Sequence, residues 1–528
     1  MLASRGDPAL EGDRERGRLL GRAGIVGLGT LVSRVLGLLR DMLLAAVFDR
    51  EATDAWWVAF TIPNALRSLF GEGAIASAVV PVLSEKLARD GDDAAKVFFG
   101  RVRGMSLAAL LAVTLLGIAL ARPLTELFAT GYHGRPGEFE RTVTLTRTVF
   151  PYIFFMGSAA LGGAALNAKG RFAVAAFAPG LLNVALLAAA IALPGLLVSA
   201  GYDPALALPA GALVGGLLQV ASQWPALRAI GFALRPTFAL DRDVVEVLRR
   251  IVPLTAGIGI YYVDLVLSRR FLSELGVGAQ SYFSWAMRLC DFPQGIFVMA
   301  LSTAALPSMS KLAATGARQE LAATWAHSVG LAMFVALPAS IALVVIGEPI
   351  VVTVFQRGHF DAIAAHQTAR ALLWQGGAIW TVAVVRQTVP ALYALGDTRT
   401  PVVVSAIDLC AFVALAEGLR GPLGHVGISV AVAGSSAVQM VLLLAGLQRR
   451  LGTIHFGQIA RSMSRTLAAS LVAALCGWAA TRPVGGSLAG VLGIGAFAAA
   501  FLLAAWGFKS PELREIARAF GSRLGYSR

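Results

Sequence analysis

Apolar segments of about 20 residues, the length an α-helix needs to cross a bilayer's hydrocarbon core, recur from Gly24 to the region of Phe508 with only short polar interruptions. No soluble domain of ordinary size fits between them. Mean hydropathy is +0.71 and only 14% of residues are charged, where a soluble domain carries about a quarter. Water therefore cannot be the solvent for most of the surface, and an all-α polytopic membrane protein with about fourteen transmembrane helices is expected. The spans are expected near residues 24–48, 54–84, 103–121, 144–167, 172–197, 204–224, 250–274, 279–310, 324–346, 368–395, 401–418, 424–447, 466–481 and 485–507.

Residues 1–23 are polar and charged and carry no small-residue cleavage site behind an apolar core, so they read as a cytoplasmic tail ahead of an uncleaved first span. With that tail inside, most of the 45 basic residues fall in cytoplasmic segments, among them Lys86, Arg89, Lys96, Arg101 and Arg103. Outside loops then hold only a scatter, such as Arg50, Arg122, Arg357 and Arg420. Both termini are accordingly expected in the cytoplasm, with the Glu126–Glu138 and Gly347–Asp361 loops outside. The net charge of +14 is then topology and contact with anionic lipid rather than nucleic-acid binding. Cys290, Cys410 and Cys476 are far apart in sequence and have no metal-ligand spacing, so neither a disulfide nor a metal site is indicated. In the last segment, Leu513, Ile516, Phe520 and Leu524 recur at helical spacing beside Arg514, Arg518 and Arg523, which predicts a basic amphipathic helix at the cytoplasmic surface.

The chain also repeats itself. Ala165–Gly170 recurs as Ala391–Gly396 at a shift of 226, and Pro81-Val82-Leu83-Ser84 meets Pro307-Ser308-Met309-Ser310 at the same shift. Leu127–Gly131 meets Val354–Gly358 one residue further on, while near the start the shift becomes 230 and pairs Arg40 with Arg270 and Pro63 with Pro293. A six-helix unit has an even number of spans, so its two copies share one orientation. The expected division is a tail at 1–23, a first lobe at 24–228, a second at 247–448, two further spans at 462–507 and a tail at 508–528. Two parallel lobes facing a cavity form an alternating-access architecture.

Several arginines fall inside expected spans: Arg34, Arg40, Arg67, Arg269, Arg270, Arg288 and Arg386. A charge near the bilayer centre costs at least ~2.5–3.5 kcal/mol, so each needs a partner or a wet cavity. Arg34, Arg40, Arg67, Arg270 and Arg288 lie on equivalent helices of the two repeats and are candidates for one basic cavity. Arg34 and Arg40 stand about 9 Å apart along their helix and about 120° around it, with Gly37 between them as the expected floor of a groove. The guanidinium fork suits diphosphate oxygens better than a lysine would. Neutralisation of Asp41, Glu72, Asp264, Asp291 and Asp408 is the competing role, and it stands level for Arg269 and Arg386. Pro63-Asn64 and Gly71-Glu72-Gly73 interrupt one span, as Pro293 and Gly295 interrupt its counterpart, and broken helices at equivalent positions mark a binding site or hinge. Asp264 and Asp408 are candidates for a cation site, against a plain structural role.

Ser33-Arg34-Val35-Leu36-Gly37, Arg40-Asp41, Ala52-Thr53-Asp54-Ala55, Ile62-Pro63-Asn64, Arg67 and Glu72-Gly73-Ala74 closely resemble the N-terminal signature of the MurJ (MviN) lipid II flippases. Phe292-Pro293, Leu306-Pro307 and Gly396-Asp397-Thr398 extend the likeness over nearly the whole chain. The resemblance implies the multidrug/oligosaccharidyl-lipid/polysaccharide (MOP) exporter fold, with the last two spans forming a lipid-tail groove. It implies transfer of undecaprenyl-diphosphate-linked disaccharide-pentapeptide from the inner to the outer leaflet of the bacterial inner membrane, for peptidoglycan synthesis. It carries functional roles to Arg34, Arg40, Asp41, Asp54, Arg67, Glu72 and Arg288, the acids among them as gating or charge-coupling groups. Where many members have Asp before the span 8 arginine, this chain has Met287, and Asp291 one turn on is the substitute. Family members are linked to membrane potential or a sodium gradient, and a proton is the other candidate coupling ion. Cell-wall synthesis enzymes are candidate partners, and a monomer is expected. Export of another polyprenyl-diphosphate glycan or amphiphile is the alternative on the same fold. An enzyme is not expected, since neither a DDxxD run nor a P-loop is present.

Overall fold

The computed structural model describes residues 8–67, 74–232, 235–239, 241–247, 249, 259–452, 454 and 456–521. Among them the first half of the chain contributes α1 (Pro8–Val47), α2 (Arg50–Arg67), α3 (Ala74–Arg89), α4 (Gly91–Ala119), α5 (Ala121–Phe128), α6 (Glu138–Val149), α7 (Tyr152–Ala168), α8 (Phe172–Ser199) and α9 (Ala207–Ala229). The second half contributes α10 (Gly259–Ser273), α11 (Ala279–Pro293), α12 (Met299–Ala314), α13 (Arg318–Val345), α14 (Gly347–Phe355), α15 (Ala362–Gly377), α16 (Ile379–Ala394), α17 (Arg399–Leu423) and α18 (His425–Leu451). α19 (Phe456–Thr481), α20 (Gly486–Gly507) and α21 (Pro511–Gly521) complete the chain.

Nine helices among the described residues are long and apolar enough to cross a membrane. Of the most apolar window of α17 only 17% is buried within the protein, and Ile191, Leu475 and Leu503 are 72%, 68% and 69% exposed, so these faces need lipid. The remaining expected spans, near 24–48, 54–84, 250–274, 279–310 and 368–395, coincide with α1, α2 with α3, α10, α11 with α12, and α15 with α16. The span 8 break falls where the sequence puts it, as a π-helical turn at Gln294–Val298 just after Pro293.

The chain divides into two compact units, Met1–Phe48 with Ala55–Tyr262, and Asp49–Asp54 with Val263–Arg528. In the first, Val79, Leu83, Phe98, Phe99, Leu161 and Phe232 form a core between α3, α4 and α7. Glycines let α9 approach α8 closely: a Cβ at Gly215 would lie 2.8 Å from Leu182 Cα and one at Gly211 3.1 Å from Leu186 Cα. In the second, Trp325, Met333, Leu392, Leu443 and Leu447 join α13, α16 and α18, and Phe271, Phe283, Phe412 and Ile428 join α10, α11, α17 and α18. α19 and α20 pair through Gly477 and Gly493 and pack on α13 and α14 of the same unit. The repeat reappears as two helix series: α5 and α14 begin at Ala121 and Gly347, 226 residues apart, and α2 and α11 begin at Arg50 and Ala279, 229 apart.

Some local expectations gain detail. The N-terminal tail is helical from Pro8 and continuous with the first span, because Leu, Arg and Glu favour a helix and no proline intervenes; at 1.5 Å per residue the 40-residue α1 is about 60 Å long, twice a bilayer core. The Gly347–Asp361 loop holds helix α14, and the Glu126–Glu138 stretch begins inside α5 and contains a 3-10 turn at Thr130–Gly134. The C-terminal helix α21 is docked as well as amphipathic: Glu512 is 7% exposed and accepts from Ser462 and Ser510, and Glu515 meets His327 at 3.0 Å. Residues 522–528, with Arg523 and Leu524, lie outside the described residues.

Candidate functional site

In the first unit, α1 presents Arg34, half-buried, and Arg40, which is 9% exposed. The Arg40 fork is divided: Nε and Nη2 donate to Asp41 Oδ1 at 2.9 and 2.6 Å, and Nη1 donates to Asn183 Oδ1 at 2.9 Å. Asn183, on α8, donates in turn to the Ser33 carbonyl at 2.9 Å. Gly37 lies on this same face, where a Cβ would make an ordinary contact, 3.7 Å from Asn183 Nδ2. Asn183 is a polar residue in the middle of an apolar span, a signal that attention to charged residues alone passes over. Arg67 ends α2; its side chain, and Glu72, lie outside the described residues.

In the second unit the arginines differ among themselves. Arg269 is engaged between α10 and α11, donating to Gln280 Oε1 at 2.9 Å and Ser284 Oγ at 2.7 Å, neither of them one of the acids it was weighed against. Arg386 donates to Met299 Sδ at 3.2 Å. The Arg270 side chain is 44% exposed with Glu274 at 3.9 Å, and the Arg288 side chain is 36% exposed with Asp291 at 3.8 Å. Asp291 therefore lies near Arg288, as their i,i+3 spacing on α11 requires.

Asp54 belongs to the second unit and is fully buried. Its two oxygens accept the backbone N–H groups of Gly278 at 2.6 Å and Ser281 at 2.8 Å, capping the start of α11 from the side, while Thr53 Oγ1 meets Ser281 Oγ at 2.7 Å. Arg50 pairs with Asp361 beside them. Asp264 of α10 and Asp408 of α17 are close enough for their charges to repel, with the Ser435 hydroxyl of α18 beside Asp408. Two carboxylates and a hydroxyl suit a hard cation, and Ser435 was not foreseen. Among the described residues no cluster of three or more His, Cys, Asp or Glu is placed to hold a metal. The Asp241-Arg242-Asp243 stretch has the acid spacing of a sugar-nucleotide metal motif, but its carboxylates are engaged by Arg101 and Lys86.

A family model described as lipid II flippase MurJ matches residues 44–486. Lipid II flippase MurJ of Burkholderia cenocepacia is 35% identical over 429 residues, which are 80% of this chain and 82% of that protein. The probable lipid II flippase MurJ of Vibrio cholerae serotype O1 is 33% identical over 448 residues, 83% of this chain and 84% of that protein. Among solved structures, a lipid II flippase MurJ in an inward closed conformation matches with a TM-score of 0.74 at 21% identity, covering 93% of this chain and 99% of that one. An inward-facing multidrug resistance MATE family transporter of the MOP superfamily matches with a TM-score of 0.66 at 13% identity, covering 80% of this chain and 94% of that one. The structural likenesses carry the fold, and the matched family model with the sequence relatives carries the rest: the chain belongs to the MurJ family of lipid II flippases, multi-pass membrane transporters and not enzymes.

Proposed function

We propose that Arg34, Arg67, Arg270 and Arg288 hold the diphosphate of lipid II while the two repeats rock to open a cavity to the inner and then the outer leaflet. The observation that carries this is exposure: Arg270 and Arg288 sit in spans yet keep 44% and 36% of their side chains accessible, on surfaces a ligand reaches. Arginine in a membrane at that exposure fits a wet cavity and an anion better than it fits lipid. Arg40 enters this reading through Asp41 and Asn183, setting the α1 face from which Arg34 projects. Asp54, Asp41, Glu72 and Asp291 are the gating and charge-coupling acids, with Asp54 releasing the start of α11 as the gate moves. Asp264 and Asp408 are assigned to a coupling cation, sodium or proton, and the membrane potential acts on the same charges. The protein works as a monomer in the bacterial inner membrane, with both termini cytoplasmic, basic segments on anionic lipid, and cell-wall synthesis enzymes receiving its cargo. Residues 462–507 guide the polyprenyl tail.

The test is lipid II binding and flipping by purified alanine and lysine variants at 34, 67, 270 and 288, each with its unfolding temperature. Alanine should abolish flipping and lysine should restore it only in part, because a point charge keeps the attraction but loses the two-toothed bond. Alanine variants that unfold early yet still bind and flip would show that these arginines neutralise neighbouring acids instead.

A further inference from the structure

Arg270 has a carboxylate one helical turn away that competes with any anion for its fork. Glu274 divides its oxygens between two arginines: Oε1 lies 3.9 Å from Arg270 Nε, while Oε2 is in direct contact with Arg420 Nη1 at the end of α17. Arg420 is itself fixed. Its Nη2 meets Glu417 Oε2 at 2.7 Å, and its guanidinium lies over the Phe271 ring at 5.0 Å, so two carboxylates and one aromatic face define the direction of the fork. With 26% of its side chain exposed against 44% for Arg270, Arg420 is also the less hydrated of the two cations, and the carboxylate sits on the better-held one.

The distance decides what this arrangement does. At 3.9 Å Glu274, in the turn just past the end of α10, lies beyond hydrogen-bond reach of Arg270, yet so small a gap closes to direct contact by a rotamer change alone. Closed, it would occupy the N–H fork that a diphosphate needs. We infer that Arg420, backed by Glu417, is a positioning residue for transport: it holds Glu274 away from Arg270 and so leaves the Arg270 fork open to the diphosphate of the substrate. This rests on the reading of Arg270 as a diphosphate ligand.

The experiment measures lipid II affinity of the full-length protein in neutral-lipid nanodiscs for wild type, Arg420→Ala, Glu274→Gln, the double variant, Arg270→Ala and Arg270→Ala/Arg420→Ala. Arg420→Ala should weaken binding about tenfold, the worth of one charge-assisted hydrogen bond surrendered to Glu274. Adding Glu274→Gln should restore it, because the amide no longer competes as an anion, and a packing defect at position 420 would not be repaired by that change. Arg270→Ala/Arg420→Ala should bind no worse than Arg270→Ala. Wild-type affinity in Arg420→Ala, or a loss that persists in the double variant with Glu274→Gln, would overturn the inference while leaving Arg270 a ligand. Wild-type affinity in Arg270→Ala would instead remove the underlying reading, and this inference with it.

Discussion

Arg40 and Arg270 occupy corresponding places in the sequence repeat, yet one keeps only 11% of its side chain accessible and is divided between Asp41 and Asn183, while the other keeps 44%. The difference could not be read from the repeat, because the partner that engages Arg40 comes from another helix 143 residues away. Asn183 satisfies Arg40 and the Ser33 carbonyl at once, so Asn183→Ala leaves two buried polar groups short of a partner. A cost of about 1–3 kcal/mol is expected, read as a lower unfolding temperature in detergent, and lipid II affinity should fall with it because the α1 face that presents Arg34 is no longer held. A loss of affinity at unchanged unfolding temperature would show Arg40 touching the substrate directly. The nearness of Asp291 to Arg288 was legible from spacing alone, since i,i+3 proximity is fixed by helix geometry whatever the fold does.

At the scale of elements, the sequence located the spans well because a 20-residue apolar run admits only one backbone solution in lipid. It failed on short helices, such as α5 and α14, whose eight or nine residues carry too little periodicity to separate them from loop. It also failed to say what the Gly396-Asp397-Thr398 motif is for. Asp397 is 4% exposed, accepts Thr400 N–H at 2.9 Å and the Thr400 hydroxyl at 2.8 Å at the start of α17, and takes Arg450 Nε of α18 at 2.7 Å. These bonds, the Thr400 amide first and the Arg450 guanidinium among the others, hold its carboxyl below the usual 3.8 against the opposing effect of burial. A depressed carboxyl stabilises the fold above its unfolded pKa and loses that contribution as pH falls through the folded one. Asp397→Asn keeps the acceptor but not the charge, so it should unfold earlier than wild type near neutral pH, with the gap closing below about pH 4. A gap that stays constant to pH 3 would mean that the charge contributes nothing there and that only the lost geometry matters.

For the whole molecule, charge decides sidedness, because a bilayer holds segments rich in Lys and Arg on its cytoplasmic face. Lys86, Arg89, Lys96, Arg101 and Arg103 flank α3 and α4 at one end, whereas α5 and α14 hold few basic residues, and the positive-inside tendency assigns the first group to the cytoplasm. Thr130 and His359 follow α5 and α14 in corresponding segments of the repeat, and six-helix repeats of one orientation must place both on the same side. The arrangement is testable with single cysteines on a background lacking Cys290, Cys410 and Cys476, so that no native thiol reports in their place. His359 is the better probe than its neighbour Gly358, whose φ of +55° a cysteine would strain. A membrane-impermeant thiol reagent added to intact spheroplasts should reach Thr130→Cys and His359→Cys and miss Arg89→Cys until the membrane is opened. Labelling of position 89 alone would invert the whole topology, and labelling of 130 without 359 would break the common orientation of the two repeats on which rocking between leaflets depends.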